Sequence, residues 1–120
     1  MKYRSSTEGE EVVKQDYGKR IIFSLKDFDE KGHLLQVVTI PAHTRQRLHF
    51  HEKQTEVFYI LDGEATLTID AVDYSARPGD AFICSPGEVH RVWNTSDREF
   101  KLVVFKINLP EEGEDSQWLE

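Results

Sequence analysis

Short apolar segments separated by turn residues at regular spacing are the feature that most constrains the fold of this chain. Residues 64–70 alternate polar and apolar side chains strictly, which is the pattern of a strand with one buried face. Gly, Pro, Asn and Asp residues separate further strand-like runs at residues 18–25, 33–40 and 100–107. No amphipathic helix of any length is indicated. The pattern predicts an all-β sandwich or barrel, with Asp62-Gly63 as the turn of a hairpin.

The length of 120 residues favours one domain with a single core. We expect a barrel over residues 18–109, preceded by an N-terminal arm at residues 1–17 and followed by an acidic tail at residues 110–120. The tail carries five acidic residues and no basic one, and without it 17 acidic residues face 15 basic ones. Most of the net charge of −7 therefore belongs to the tail, which favours a solvated end over a binding surface. Trp118 and Leu119 are the tail residues able to dock on the domain.

Composition and charge argue against several classes of protein. No basic stripe is present, which argues against nucleic acids and anionic membranes as partners. No segment approaches the roughly 18 consecutive apolar residues of a membrane-spanning helix. Cys84 is the lone cysteine, so it cannot form an internal disulfide, and we expect it to be buried as a small apolar residue. We therefore predict a soluble cytoplasmic protein.

His49 and His51 form a His-x-His pair in a strand-like segment. Side chains two residues apart on a strand lie on the same face, about 6.6 Å apart along the backbone, so both imidazoles can converge on one ion. A short turn after His51 can return the Glu56 carboxylate to the same point, and His90 is the natural candidate for a fourth ligand. An isolated His-x-His pair is more often two surface histidines, so the metal interpretation depends on the whole set.

Two spaced motifs give the chain a resemblance to the cupin superfamily. The first motif of that family matches this chain at His49, His51, Glu56 and Gly63, with His43 standing where the family has Gly. The second motif matches at Gly79, Gly87, His90 and Asn94, with Ser85 standing where the family has Pro. Both departures fall at turns, and the likeness extends over most of residues 18–108.

The resemblance implies a fold, a cofactor and an assembly. The fold is a double-stranded β-helix, also called a jelly-roll barrel, and such barrels are often homodimeric. The cofactor is one divalent metal ion inside the mouth of the barrel. The residues that match the metal ligands of the family are His49, His51, Glu56 and His90.

Three imidazoles and one carboxylate form a mixed nitrogen and oxygen ligand set. The absence of thiolates disfavours a closed structural zinc site, and the histidines disfavour calcium and magnesium. Iron, manganese, nickel, cobalt and zinc all stay open. Four protein ligands on a six-coordinate ion leave two adjacent positions for water, oxygen or a ligand. Phe58 and Ile60 share strand parity with Glu56, so we expect them to line the cavity beneath the ion.

Three functions are compatible with such a site, and the fold does not choose among them. The first is a metal-dependent enzyme, dioxygenase-, isomerase- or decarboxylase-like, on a small oxygen-rich anion. The second is a non-catalytic module that binds a sugar or another small ligand, and the third is a structural barrel with an incidental metal. We expect chelating anions to bind more tightly than neutral sugars.

Several basic residues near the His-x-His pair bear on that choice of ligand. Strand parity places His43, Arg45 and Arg47 on the face of the two histidines, but Pro41 and the expected loop favour an exposed charged segment instead. A guanidinium group of Arg45, Arg47 or Arg91 that reached the mouth of the barrel would hold a second carboxylate of the ligand.

Overall fold

Two antiparallel β-sheets make up nearly all of the regular secondary structure of the described residues, which confirms the predicted all-β fold. The computed structural model describes residues 1–113 and 115–120, and residue 114, in the predicted acidic tail, lies outside them. The strands in this part of the chain are β1 Glu10–Val13, β2 Gly18–Phe23, β3 Leu34–Ile40, β4 Thr44–Arg45, β5 His49–His51, β6 Thr55–Asp62, β7 Ala65–Ile69, β8 Val72–Ala76, β9 Ala81–Cys84, β10 His90–Asn94, β11 Phe100–Ile107 and β12 Ser116–Trp118. One turn of 3-10 helix, Leu25–Asp27, lies between β2 and β3.

The first sheet has the strand order β1-β2-β3-β11-β6-β9. The second has the order β12-β5-β10-β7-β8, with β4 paired to β10. Every pairing is antiparallel. None of the helical residues in the described ranges forms a segment long and apolar enough to cross a membrane.

The core lies between the two sheets and is built by alternation along each strand. In β6 every second side chain is buried, namely those of Glu56, Phe58 and Ile60. The apolar members of this face pack with Leu67 of β7 and Val92 of β10, which come from the other sheet. Burying a large apolar side chain of this kind contributes about 1.5–3 kcal/mol. The same inner face that holds the fold together therefore also carries Glu56.

The turn at Asp62-Gly63 does not close the predicted hairpin. Strand β6 pairs with β11 and β9, whereas β7 pairs with β10 and β8, so the turn carries the chain from one sheet to the other. Gly63 has a φ of 81°, and a Cβ atom there would lie 2.5 Å from the carbonyl oxygen of Glu99, so the turn requires glycine. The hairpin prediction was wrong because an Asp-Gly pair signals a chain reversal without specifying which strands pair. Ile60 of β6 and Leu67 of β7 are therefore not neighbours in one sheet. Their side chains belong to the same core cluster, each reaching it from a different sheet.

His43, which stands where the cupin motif has Gly, adopts a left-handed backbone conformation. Its φ is 53°, a value that glycine adopts readily and other residues adopt less often. The backbone N–H of His43 donates a hydrogen bond to the carbonyl oxygen of Ser96 at 3.1 Å, which holds this turn. The departure from the motif therefore leaves the backbone path intact.

Both predicted terminal segments contribute a strand to the sheets. Strand β1, from the predicted arm, pairs with β2. Strand β12, from the predicted acidic tail, pairs with β5, so that Ser116 lies opposite His51 and Trp118 opposite His49. The end of the chain thus runs alongside the strand that carries the His-x-His pair.

Candidate metal centre

Four buried side chains from three strands converge at one end of the barrel interior. His49 and His51 lie on β5, and His90 of β10 is the register partner of His49. Glu56 comes from β6 in the opposite sheet. One possible ligand atom from each residue lies within 4.8 Å of the others. The structure therefore brings together the four residues that the sequence singled out.

The Glu56 carboxylate lies between two of the imidazoles. Its Oε1 atom accepts hydrogen bonds from Nε2 of His51 at 2.8 Å and from Nε2 of His90 at 3.1 Å. Burial by itself raises the pKa of this carboxyl group, but the two hydrogen bonds outweigh burial and hold the pKa well below its ordinary value. Lys106, the register partner of Glu56 on β11, lowers this pKa further. Glu56 is therefore a charged carboxylate.

The outer ring nitrogens of His49 and His90 are held by the main chain. Nδ1 of His49 donates to the carbonyl oxygen of Arg47 at 2.9 Å, and Nδ1 of His90 donates to that of Glu88 at 3.0 Å. These bonds leave Nε2 of each ring as the atom available to a metal, as is usual for ligating histidines. These hydrogen bonds form without a metal ion, and they orient both rings so that Nε2 can bind one.

The same two histidines differ in their protonation. Burial lowers the pKa of His49 to about 4, with a further lowering from the neighbouring His90. Burial also lowers the pKa of His90, but the hydrogen bond to Glu56 outweighs it, so this pKa is raised above its ordinary value. His49 is therefore neutral near pH 7, whereas Glu56 favours a proton on His90, and that proton would compete with a metal ion.

The third ring, that of His51, contacts a buried amide. Its Nδ1 lies 3.2 Å from Nε2 of Gln54, and Oε1 of Gln54 is buried without a hydrogen-bond partner among the described residues. A half-turn of the amide presents Oε1 to Nδ1 instead. Nδ1 then donates to Oε1, and Nε2 of His51 has a lone pair free for a metal. The unpartnered oxygen of Gln54 thus fits a metal-bound state better than a metal-free one.

The donor set as a whole suits a divalent metal ion. Three imidazole nitrogens and one carboxylate oxygen match the preferences of first-row transition metals. Cys84 lies opposite Glu56 in the β6–β9 pair and is buried, as expected. Burial, together with the Glu56 charge, raises the pKa of its thiol to about 12, so it stays protonated and offers no thiolate ligand.

A cavity of about 150 Å³ opens beside the four residues, which is room for a small organic molecule rather than one water. Phe58 lines it, as predicted. Ile60 was also expected to line it, but this side chain is only 1% exposed and packs in the apolar core. The rest of the wall is mixed: apolar core residues such as Val38 and Leu102 contribute to it, and so do several polar residues, namely Lys19, Gln36, Gln46, Gln54 and Lys106.

The sequence did not single out these polar wall residues. Lys106 shares strand parity with Leu102 and Val104, which are buried, and that alternation was the available signal. Parity alone gives no indication of which end of the barrel a residue lies at. Only the assembled sheets place Lys106 and Gln36 next to the metal-type cluster.

The arginines and His43 lie elsewhere. Arg47 stacks on the Trp118 ring at 4.1 Å, and Arg91 forms an ion pair with Glu120 at 3.6 Å. Arg45 and His43 have partners of their own, in Trp93 and Asp97 respectively. None of these four basic residues is among the described residues that line the cavity.

The C-terminal segment covers the cluster from the side of β5. The ring centroid of Trp118 lies 4.8 Å from that of His49. The carboxylate of Asp115 accepts hydrogen bonds from the backbone N–H groups of Lys53 at 2.8 Å and Gln54 at 3.0 Å. These bonds hold the turn that leads from the His-x-His strand to Glu56, so the predicted acidic tail helps to shape the site.

Comparisons with known proteins agree with this geometry. The sequence profile of the cupin domain family matches residues 36–106, which include all four clustered residues. An oxalate-binding protein of Thermotoga maritima is 31% identical over 88 residues, covering 72% of this chain and 73% of that protein. An oxidoreductase of the fungus Arthrobotrys oligospora is 36% identical over 61 residues, covering 50% of this chain. This chain spans only 24% of the length of the fungal protein.

A solved structure shares the arrangement of the strands. The crystal structure of a predicted oxalate decarboxylase from Thermotoga maritima superposes with a TM-score of 0.78 at 26% identity. The superposition covers 89% of this chain and 98% of that one. The double-stranded β-helix expected from the sequence is therefore the fold of this molecule.

Proposed function

The chain belongs to the cupin family, and from that premise we propose that it binds one divalent metal ion and a small oxygen-rich anion beside that ion. The proposed ligands of the ion are His49, His51, Glu56 and His90. The observation that carries the proposal is the convergence of four buried donor atoms within 4.8 Å at the wall of a cavity. Iron, manganese, nickel, cobalt and zinc are all compatible with this donor set.

The charge of the site favours an anionic ligand. Glu56 contributes −1 and the imidazoles bind as neutral groups, so the ligand shell of a divalent ion has a net charge of about +1. The apolar part of the cavity wall screens that charge poorly. The relative from Thermotoga maritima is named for binding oxalate, a small chelating anion, which supports the same class of ligand here.

A metal-dependent enzyme of the dioxygenase, isomerase or decarboxylase type is the activity that we propose. A divalent ion bound at this site would supply Lewis-acid polarisation of a ligand oxygen. Phe58 and Trp118 both line the cavity, and the Trp118 ring lies against that of His49, so these two aromatic side chains would shield a bound ligand from water. From the family resemblance we also propose a homodimer, which light scattering would test, and the cytoplasmic location stays a prediction.

Metal content tests the first part of the proposal. Elemental analysis of protein purified without a tag should give one divalent metal ion per chain. The His51→Ala variant should lose most of that metal while keeping its circular dichroism spectrum, because it removes one of four ligands from a barrel with its own apolar core. His43→Asn is the matched control, since it removes an imidazole outside the site and asparagine tolerates the left-handed backbone. Unchanged metal content in His51→Ala would refute the ligand assignment.

Ligand type tests the second part. Calorimetric titration of the metal-loaded protein should show tighter binding of oxalate than of glucose, a neutral sugar. Equal or tighter binding of glucose would contradict the proposal and favour a sugar-binding module.

A further inference from the structure

We propose that Lys106 binds a second carboxylate group of the ligand and that Gln36 binds its metal-bound hydroxyl group, so that the ligand is a small hydroxy acid with two carboxylate groups. The inference rests on the proposed function, because the first carboxylate and its neighbouring hydroxyl oxygen occupy the metal. The inference adds that Lys106 holds the carboxylate at the end of the ligand away from the metal.

Lys106 lies on the inner face of its strand. It follows the alternation of Phe100, Leu102 and Val104, whose side chains are buried, and it lines the cavity. A lysine on the inside of a barrel loses solvation and is seldom found there without an anionic partner. The nearest anion across the strand pair is Glu56, but its Oε1 atom already accepts hydrogen bonds from two imidazoles. Glu56 attracts Lys106 electrostatically, but the same carboxylate is a proposed metal ligand, so an anion that enters the cavity would give the ammonium group a partner of its own.

Gln36 lies next to Lys106 on the same face. Gln36 is the register partner of Val104, and Leu34 is the register partner of Lys106, so the two polar residues are diagonal neighbours on adjacent strands. Gln36 is only 4% exposed, and its Oε1 atom has no hydrogen-bond partner in the part of the chain that the structure describes. Buried polar atoms of this kind usually have a partner. The metal-bound hydroxyl group of the ligand would supply the missing donor, while the carboxylate at the other end of the ligand pairs with Lys106.

The charges in the cavity require more than a monoanion. The proposed ligand shell with its divalent ion has a net charge of about +1, and Lys106 adds another positive charge on the same cavity. A ligand with one carboxylate would leave positive charge uncompensated in a poorly screened space. A dicarboxylate neutralises it and gives Lys106 a partner.

Two acids of equal chain length make the test sharp. Malate and 2-hydroxybutanoate both offer a carboxylate with a neighbouring hydroxyl group, but only malate has a second carboxylate. Both are titrated into protein loaded with Co(II), whose uptake is first measured by elemental analysis. Wild-type protein should bind malate at least about tenfold more tightly than 2-hydroxybutanoate.

The variants assign that preference to particular side chains. Lys106→Met should lower malate affinity about tenfold and change 2-hydroxybutanoate affinity less than about twofold, while Lys106→Arg keeps the preference for malate. Gln36→Leu should weaken the binding of both acids, because both have the hydroxyl group that Gln36 would accept a hydrogen bond from. The matched control is Lys101→Met, the same substitution on the same strand, because Lys101 does not line this cavity. The circular dichroism spectrum and Co(II) content of each variant confirm that it is folded and loaded.

Other outcomes would overturn the inference. Equal binding of the two acids by wild-type protein, or equal losses for both in Lys106→Met, would exclude a second anchoring point at Lys106. If either result occurs with Co(II) bound, the proposed function stands and only this inference fails. If wild-type protein takes up no Co(II), the proposed function fails and this inference falls with it.

Discussion

The two ends of the barrel interior differ in chemistry although the same strands build both. Along β3 the inner face changes from Gln36 to Ile40, and along β6 it changes from Glu56 to Ile60. All four of these side chains are at most 7% exposed. Gln36 and Glu56 are polar and line the cavity, whereas Ile40 and Ile60 are apolar and pack in the core, with Ile40 also forming part of the cavity wall. Burial alone therefore does not distinguish a site residue from a core residue in this fold.

This difference between the two ends indicates which residues contribute to the stability of the fold and which contribute to binding. We call the end of the barrel with Ile40 and Ile60 the closed end and the end with Gln36 and Glu56 the mouth. Each apolar residue at the closed end contributes transfer and packing free energy to folding. At the mouth, burying a carboxylate and several imidazoles costs desolvation free energy that their mutual hydrogen bonds only offset. Substitutions at the closed end should thus affect unfolding, and substitutions at the mouth should affect binding.

Phe100→Ala should have the largest effect on stability. Phe100 is 1% exposed at the closed end, so its removal leaves a cavity and should lower the free energy of unfolding by about 3–5 kcal/mol. Urea denaturation measures this, with the mouth variant Lys106→Met as the comparison, expected within about 1 kcal/mol of wild type. The metal content of the folded Phe100→Ala protein should match wild type. Similar losses in the two variants would mean that the ends of the barrel are not separable in this way.

Removing the metal should have a smaller effect. The apolar end suffices for folding, unlike a zinc finger, so the chelated protein should keep its β-sheet spectrum at 25 °C and melt at a lower temperature. At a free metal concentration about 100 times the dissociation constant, the bound ion contributes roughly 2.7 kcal/mol. Thermal melts with and without chelator measure the shift, and the His51→Ala variant, which should show little shift, is the control. A random-coil spectrum after chelation would contradict the prediction.

Metal affinity should also depend on pH, and a change of one pH unit should have a smaller effect in kcal/mol than the loss of Phe100 or of the metal. Because Glu56 raises the pKa of His90, a proton competes with the metal at this ring at pH values below that raised pKa. Metal affinity should therefore fall about tenfold, or roughly 1.4 kcal/mol, for each unit of pH below it. His49, with a pKa of about 4, adds competition only near that pH. Chelator competition between about pH 5 and 8 measures the slope.

The metal-free protein should respond in the opposite direction. A folded-state pKa of His90 above its unfolded value stabilises the fold fully below the unfolded value, and this contribution is lost as the pH rises through the folded pKa. Proton binding at His90 thus favours folding while it opposes metal. For the metal-loaded protein, an affinity for the metal that did not change between about pH 5 and 8 would show that His90 is not a ligand.

The fold class and the four-residue cluster could be predicted from the sequence for local reasons. Strand alternation has a period of two, so the buried faces of β6 and β11 can be read along the chain. His49 and His51 are neighbours on one strand, and Glu56 follows after a short turn. Assigning His90 required the second cupin motif, because nothing near it in the sequence points to the other histidines.

Only the tertiary structure decided the strand pairings and side-chain positions that depend on residues far apart in the sequence. Whether Asp62-Gly63 joins two paired strands or links two sheets depends on β10 and β11, which lie far along the chain. The same holds for β12, which lies beside the His-x-His strand only because Ser116 and Trp118 pair with His51 and His49. Lys106 and Gln36 repeat the parity of core residues, and their position at the mouth follows from the register between β3 and β11. Local periodicity therefore determined which side chains point inward, and long-range pairing decided which of them meet at the cavity.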